Sequence, residues 1–403
     1  MADSSCSSIP RTETEIWADI TSEQEYSDAN ELAQVEVFRS ALLSPGANST
    51  KVARVVDGIQ RYVFSQEGPH EYWLGFMWSQ MLYVASWYPA EGSVHDIFLE
   101  ALAIFKNGTP DTGNDKETLS EPCWPHLPGF GRSCGEDAYA VVDASPQGLW
   151  ELDWHASVTS LIARVDSAGL YPLRMAAVWQ MRVSLEEPLL ACKYSRRHRL
   201  TAARTWIVHA AGRILDYLAT VAAAGGDAER AEPSGLWDPD PIHGKGKTLW
   251  QNNDRLQKGT LCAGRDDIGT FSLERWEFWK ARLEELRAEF GEIEGAEGWV
   301  DEMLDKMNEV QAAAGPFEKP RLDVDGEQTL VAANRQEKSA VVAGSSGKEP
   351  EKGSVVAARG EKSTDQESLL NDVVEKQLSV ERNKKRGVLG RTKDKLELGC
   401  VVS

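Results

Sequence analysis

Apolar residues recur along most of the first three hundred positions at spacings of three and four, and strict alternation is scarce. That pattern predicts helices with one buried face rather than strands. Asn30 to Leu43 carries Leu32, Val35, Val37, Phe38 and Leu42. Val52, Val55, Val56, Ile59 and Val63 follow, and Asn48 or Ser49 is placed to cap that helix. Glu71 to Tyr88 is the most apolar stretch, reads as buried on most sides, and is stopped by Pro89. Val94 to Phe105 predicts a shorter helix. The period returns over Gly148 to Ser167, Leu173 to Leu190 and His198 to Ala224. Ser272 is a plausible N-cap for a helix through Trp276, Phe278, Trp279, Leu283 and Leu286, with Arg275 where a capping box would have Glu or Gln. Trp299 to Ala314 closes the series.

Two long stretches rich in turn-forming residues, 107–147 and 225–271, interrupt the periodicity and read as loops. Residues 1–15 are rich in Ser and Thr and are expected to be disordered. The chain is therefore expected to be all-α: an irregular multi-helix bundle or layered helix pairs over residues 16–314, about nine helices in all. No 34- or 40-residue repeat is evident, so a TPR or HEAT array is not expected. Beyond Pro316 the composition turns to Ala, Gly, Ser, Glu and Lys with almost no aromatics, which predicts a disordered tail over 315–399. One island, 368–382, repeats Leu370, Val374 and Leu378 every fourth residue. Three readings of it stay open: a transient helix, a partner-docking helix, or one lying on a membrane.

Charge sharpens this division. The chain carries a formal net charge of -19, so its body should be repelled by nucleic acid and by anionic lipid. The far end is the exception, with Lys384, Lys385, Arg386, Arg391, Lys393 and Lys395. Cys400-Val401-Val402-Ser403 then has the pattern of a C-a-a-X prenylation signal, and the serine favours farnesyl. One prenyl chain binds a membrane weakly, so the basic run would be the second signal, with Arg391, Lys393 and Lys395 nearest the surface. Lys384, Lys385 and Arg386 also fit a nuclear-import signal or a solvated charge run. No secretory signal or membrane-spanning run is expected, Ala2 excludes N-myristoylation, and six scattered cysteines read as free thiols of a cytoplasmic chain.

Candidate chemistry is thin. Gly246-Lys247-Thr248 ends like a P-loop, but Pro241 stands where the first glycine belongs. Cys123, His126 and Cys134 have a zinc-like start to their spacing, yet no fourth ligand follows, so no metal is expected. His155, His198 and His209 lie in helical segments, where a lone histidine is usually structural. Trp150 with Trp154, and Trp276 with Trp279, fall on single helix faces and read as core, with an apolar ligand pocket as the minor reading. No cofactor is implied.

The segment Phe271-Ser272-Leu273-Glu274-Arg275-Trp276-Glu277-Phe278-Trp279-Lys280, with Leu249-Trp250 upstream, resembles the C-terminal signature of an uncharacterised all-helical domain family of fungi, a domain of unknown function. Leu149 to Arg213 is compatible with its middle helices, and the resemblance would cover most of 30–295. It implies a fungal cytosolic helical protein and carries no activity. The function expected is a prenylated peripheral-membrane scaffold or adaptor, with an anionic leaflet, an unknown protein partner and a prenyltransferase as its contacts. The alternative is a soluble enzyme or small-molecule binder with a Trp-lined pocket and an unused terminal motif.

Overall fold

The computed structural model describes residues 11–23, 28–107, 124, 126–134, 149–189, 193–223, 257–291, 293, 296 and 298–315. Among the described residues there is no strand, and the architecture is all-α. Among the described residues ten helices of eight residues or more follow in order: α1 Glu13–Glu23, α2 Ala29–Leu42, α3 Asn48–Ser65, α4 His70–Ser86, α5 Ser93–Asn107, α6 Leu149–Ser167, α7 Arg174–Met181, α8 Lys193–Ala223, α9 Leu273–Phe290 and α10 Trp299–Ala314. A π-helical turn, Arg182–Glu186, extends α7.

The start of the body lies earlier than the composition suggests. Thr12 Oγ1 accepts from the Glu15 amide at 3.2 Å while Glu15 Oε2 accepts from the Thr12 amide at 2.7 Å. This reciprocal cap starts α1 at Glu13, and Ile16, Trp17 and Ile20 carry it into the core. So the expectation of disorder fails over residues 11–15, because local capping and three apolar anchors outweigh a Ser/Thr-rich composition. Asp28 and Glu31 form a second capping box at α2. At α3 neither Asn48 nor Ser49 is the cap: the helix begins at Asn48, the N-cap is Ala47, and its carbonyl accepts from the amides of Thr50 and Lys51. Val52, Val55, Val56, Ile59 and Val63 then form the buried stripe read from the sequence.

The centre of the body is α8. At 31 residues it spans about 46 Å, long enough to contact α6, α7, α9 and α10 along its length. Its pairing with α6 is the most extensive helix contact of the fold. The earlier helices α2 to α5 pack on one another and join this centre through α4 and α5 against α6. Aromatic side chains fill the joints, and Trp78, Trp206, Trp276 and Trp279 are all fully buried.

The described pieces of the two interruptions contribute to the core. Within 107–147, residues 130–134 are helical, and Trp124, Leu127, Phe130 and Cys134 are buried. Trp78 Nε1 donates to the Pro128 carbonyl at 2.9 Å, and the Phe130 ring meets the Trp78 ring at 5.8 Å. Residues 257–272, from the second interruption up to the N-cap of α9, form a strap of turns across the π-helical turn, with Cys262 and Ile268 buried. Turn-rich composition signals the absence of long helices there, but a few large apolar residues are enough to seat such segments inside.

Candidate functional site

Arg275 occupies the apolar stripe of α9, between Ser272 and Trp276 and one turn before Trp279. A guanidinium in such a stripe needs a buried anion. Glu186, the last residue of the π-helical turn, supplies it, and both side chains are 0% exposed. Glu186 Oε1 accepts from Arg275 Nε at 2.5 Å and from Trp279 Nε1 at 2.7 Å. Glu186 Oε2 accepts from Arg275 Nη2 at 3.0 Å and from the Gly259 amide at 2.7 Å. Arg275 also donates to the carbonyls of Thr270 and Gln257. The Glu186 carbonyl accepts from the Leu261 amide at 2.9 Å. Next door, Glu187 pairs with Arg182 at 3.0 Å and accepts from the Thr260 hydroxyl at 2.5 Å.

This is a clasp that closes the strap onto the π-helical turn and α9. A Cβ at position 259 would lie 2.6 Å from Glu186 Cβ and 2.8 Å from its carbonyl oxygen, so only glycine lets the strap approach. Glu186 holds four donors with no solvent access, leaving it no free direction for a substrate. Burial, followed by the Glu186 charge, pushes the Cys262 thiol up to about 11, so it stays protonated and is a poor nucleophile near neutral pH.

A second arrangement has the spacing of a nucleophile and its base: Ser157 Oγ lies 2.9 Å from His95 Nε2. The same hydroxyl lies 2.8 Å from the Ala85 carbonyl and 2.7 Å from that of Tyr88, and His95 Nε2 is 3.2 Å from Ala85. These carbonyls belong to the C-terminal end of α4, where the helix leaves its acceptors unmatched. They need donors, and these are supplied when Nε2 carries the proton and the seryl hydroxyl donates to a carbonyl, an arrangement that leaves His95 Nδ1 buried without a partner. His95 then has no lone pair toward Ser157, so the pair caps a helix instead of activating a nucleophile. Both residues are sealed, and burial lowers His95 to about 4.

His155 and His198 form a third cluster. Their rings meet across the α6–α8 seam with centroids 4.7 Å apart and planes at 68°. Burial holds both neutral, lowering His155 to about 3 and His198 to about 4, with the His198 ring a further cause at His155 and Arg199 at His198. His209, also on α8, is lowered by burial in the same way.

The residues singled out in the sequence are scattered by comparison. His126 is exposed and Cys134 buried, while Cys123 lies outside the described residues. Among the described residues no group of three His, Cys, Asp or Glu could hold a metal ion. Trp276 and Trp279 pack with ring centroids 6.3 Å apart inside the core; Trp154 is partly buried, and the Trp150 side chain lies outside the described residues. Cys400, Lys384, Lys385, Arg386, Arg391, Lys393, Lys395, Leu370, Val374, Leu378 and Gly246-Lys247-Thr248 also lie outside them. A roomy concavity of about 720 Å³ lies between α8 and α10, lined by Val208, Glu302, Asp305, Lys306 and Glu309.

Fold and clasp together describe an all-helical body in which Arg275 in the stripe of α9 and the distant Glu186 lock a turn-rich strap. The chain belongs to the family described as protein of unknown function (DUF3632), whose model matches residues 78–283, from within α4 to within α9. That range contains the whole clasp and is narrower than the 30–295 expected from the resemblance. No curated protein and no solved structure matches the chain.

Proposed function

We propose that this chain is a helical scaffold or adaptor without catalytic activity, tethered to the cytosolic leaflet of a membrane by a prenyl group on Cys400. One observation carries the scaffold reading: Arg275, Trp276 and Trp279, within the segment that resembles the family signature, are fully buried, and Arg275 and Trp279 spend their polar groups inside the clasp. A signature used in this way serves the architecture, and partner recognition is left to the surface. The tether rests on sequence: Cys400 followed by Val401, Val402 and Ser403, with Arg391, Lys393 and Lys395 close enough to add up to about 1 kcal/mol each at an anionic surface. Lys384, Lys385 and Arg386 sit farther from the lipid and contribute less, because the field decays within about 10 Å. Leu370, Val374 and Leu378 are the proposed face for a protein partner. In this reading the chain is fungal and cytoplasmic. Among the described residues no helix is long and apolar enough to cross a membrane, so attachment through this part of the chain would need another device.

The test is the intact mass of the C-terminal peptide from a fungal host, together with membrane fractionation of wild type and Cys400→Ser. A farnesyl mass on a peptide ending at Cys400, and release of Cys400→Ser into the soluble fraction, are expected. An unmodified peptide still carrying Val401 to Ser403, or unchanged partition of the variant, removes the tether. Turnover of a small molecule by the purified protein removes the scaffold reading.

A further inference from the structure

The first helix is held differently from the rest of the body. Of Glu13–Glu23 only Ile16, Trp17 and Ile20 are buried, and every other residue is exposed. The extensive helix pairings of the fold do not include α1. It rests instead on the C-terminal end of α4. Arg11 lies over the Trp87 ring, 5.3 Å from its centroid, and the Tyr88 hydroxyl has Trp17 and Glu13 beside it. That joint is poorly matched. Among the described residues, Trp17 Nε1, Trp87 Nε1 and Tyr88 Oη are buried without a hydrogen-bond partner. Trp17 Nε1 comes near Tyr88 Oη without closing a bond. Even that bond would leave the tyrosyl proton and Trp87 Nε1 with no acceptor, because an indole N–H only donates.

We infer that α1 is a releasable latch: it opens from the body as a unit of its own and, while closed, seals Trp87 and Tyr88 at the end of α4. Two opposed effects bring the closed state near balance. Burial of Ile16, Trp17 and Ile20 favours docking. Holding polar groups at the joint without acceptors opposes it, and opening returns them to water. Burial, then the Glu13 charge, raises the Tyr88 hydroxyl above its ordinary value, so it keeps its proton and stays a donor. Once free, a helix of 11 residues is too short to persist in water, so release and melting of α1 are one step. Such an opening lies below the free energy of global unfolding. The seat belongs to the family-matched range 78–283, and the latch precedes it. An open latch presents an indole N–H and a tyrosyl O–H on adjacent residues, beside the apolar surface that Ile16, Trp17 and Ile20 cover when it is shut.

The test is native-state amide exchange on the full chain, read separately for α1 and for α8 over a series of low denaturant concentrations. The α1 amides are expected to be protected relative to an unfolded chain, yet to exchange about a hundredfold faster than those of α8. Their rate should also depend less on denaturant, because a local opening exposes little surface. Tyr88→Phe removes an unmatched hydroxyl and should slow α1 exchange about tenfold. Ile20→Ala removes an anchor and should speed it about a hundredfold. Exchange of α1 in step with α8, with the same rate and denaturant dependence, would overturn the latch, and so would α1 amides as fast as an unfolded chain. A variant that leaves α1 exchange unchanged, or moves it the opposite way, overturns it too. Should Ile20→Ala fail to fold, wild type and Tyr88→Phe decide.

Discussion

Two buried polar clusters lie within the family-matched body and are built to opposite rules. In the clasp both carboxylate oxygens of Glu186 are saturated by Arg275, Trp279 and Gly259. At the α6–α8 seam two imidazoles touch and leave a nitrogen each without a partner. Burying a charge is tolerable when every donor and acceptor is matched, and burying even a neutral group is costly when one is not. The clasp is therefore held by matched polar groups, and the seam by packing of two neutral rings.

The largest effect should come from breaking the clasp on one side. Arg275→Met leaves the Glu186 charge buried without its cation and is expected to cost about 3–5 kcal/mol in chemical denaturation. Adding Glu186→Leu should recover only part of this. The Gly259 amide, Trp279 Nε1 and the Thr270 and Gln257 carbonyls would still lack partners. Full recovery in the double variant would show that the pair stands alone and that the strap is held by other contacts.

Acid should act on the seam and spare the clasp. His155 and His198 bind protons more weakly in the folded protein than at their ordinary value of 6.5. The unfolded chain thus holds more protons between that value and about 3 to 4, so stability is full above pH 6.5 and falls as the pH drops below it. At pH 5.5 each should cost about 1.4 kcal/mol, roughly 3 kcal/mol for the pair. His95 adds in the same direction, and Asp166, raised by burial, opposes it. Protein denatured at pH 7 and pH 5.5 should show the drop, and His155→Phe with His198→Leu should flatten it. A double variant as acid-sensitive as wild type would place the sensitivity elsewhere.

Gly259→Ala comes next. The added methyl must push against Glu186 Cβ and its carbonyl, both of which are fixed by the clasp, so a loss of about 1–3 kcal/mol is expected. Hydrogen exchange should localise the loosening to residues 257–272; uniform loosening would mean the strap is not a separate unit.

How much of this was legible in the sequence depends on whether a feature lives within one helix. The buried stripes of α3, α4 and α9 follow from their 3.6-residue period, and Ser272 as N-cap follows from its side chain. Arg275 was read only as the residue that breaks a capping box, although a charge inside the α9 stripe was a signal that an acid must meet it. Its partner was not legible. Glu186 and Glu187 are adjacent, and the π-helical turn shifts the phase of the helix that carries them, so a regular wheel cannot say which faces inward. The seam was hidden for a related reason: His155 and His198 belong to different helices, and only the register of α6 on α8 brings them together. The buried pieces of the two interruptions, such as Trp124 and Cys262, were obscured by the Gly and Pro around them.

The smallest effect sharpens the comparison most, because it separates the clasp from the helix it closes on. Ser272 Oγ accepts from the Arg275 amide at 3.3 Å as the N-cap of α9, and from the Gly269 amide at 3.1 Å within the strap. Removing the hydroxyl in Ser272→Ala should cost about 1 kcal/mol, while Ser272→Asp, which keeps an acceptor, should cost less. If the clasp holds α9 and the strap together, neither variant changes protection of the Leu261 amide, which donates to the Glu186 carbonyl. If Ser272→Ala exposes that amide to exchange as strongly as Arg275→Met does, then the cap, and not the buried ion pair, sets the position of the strap.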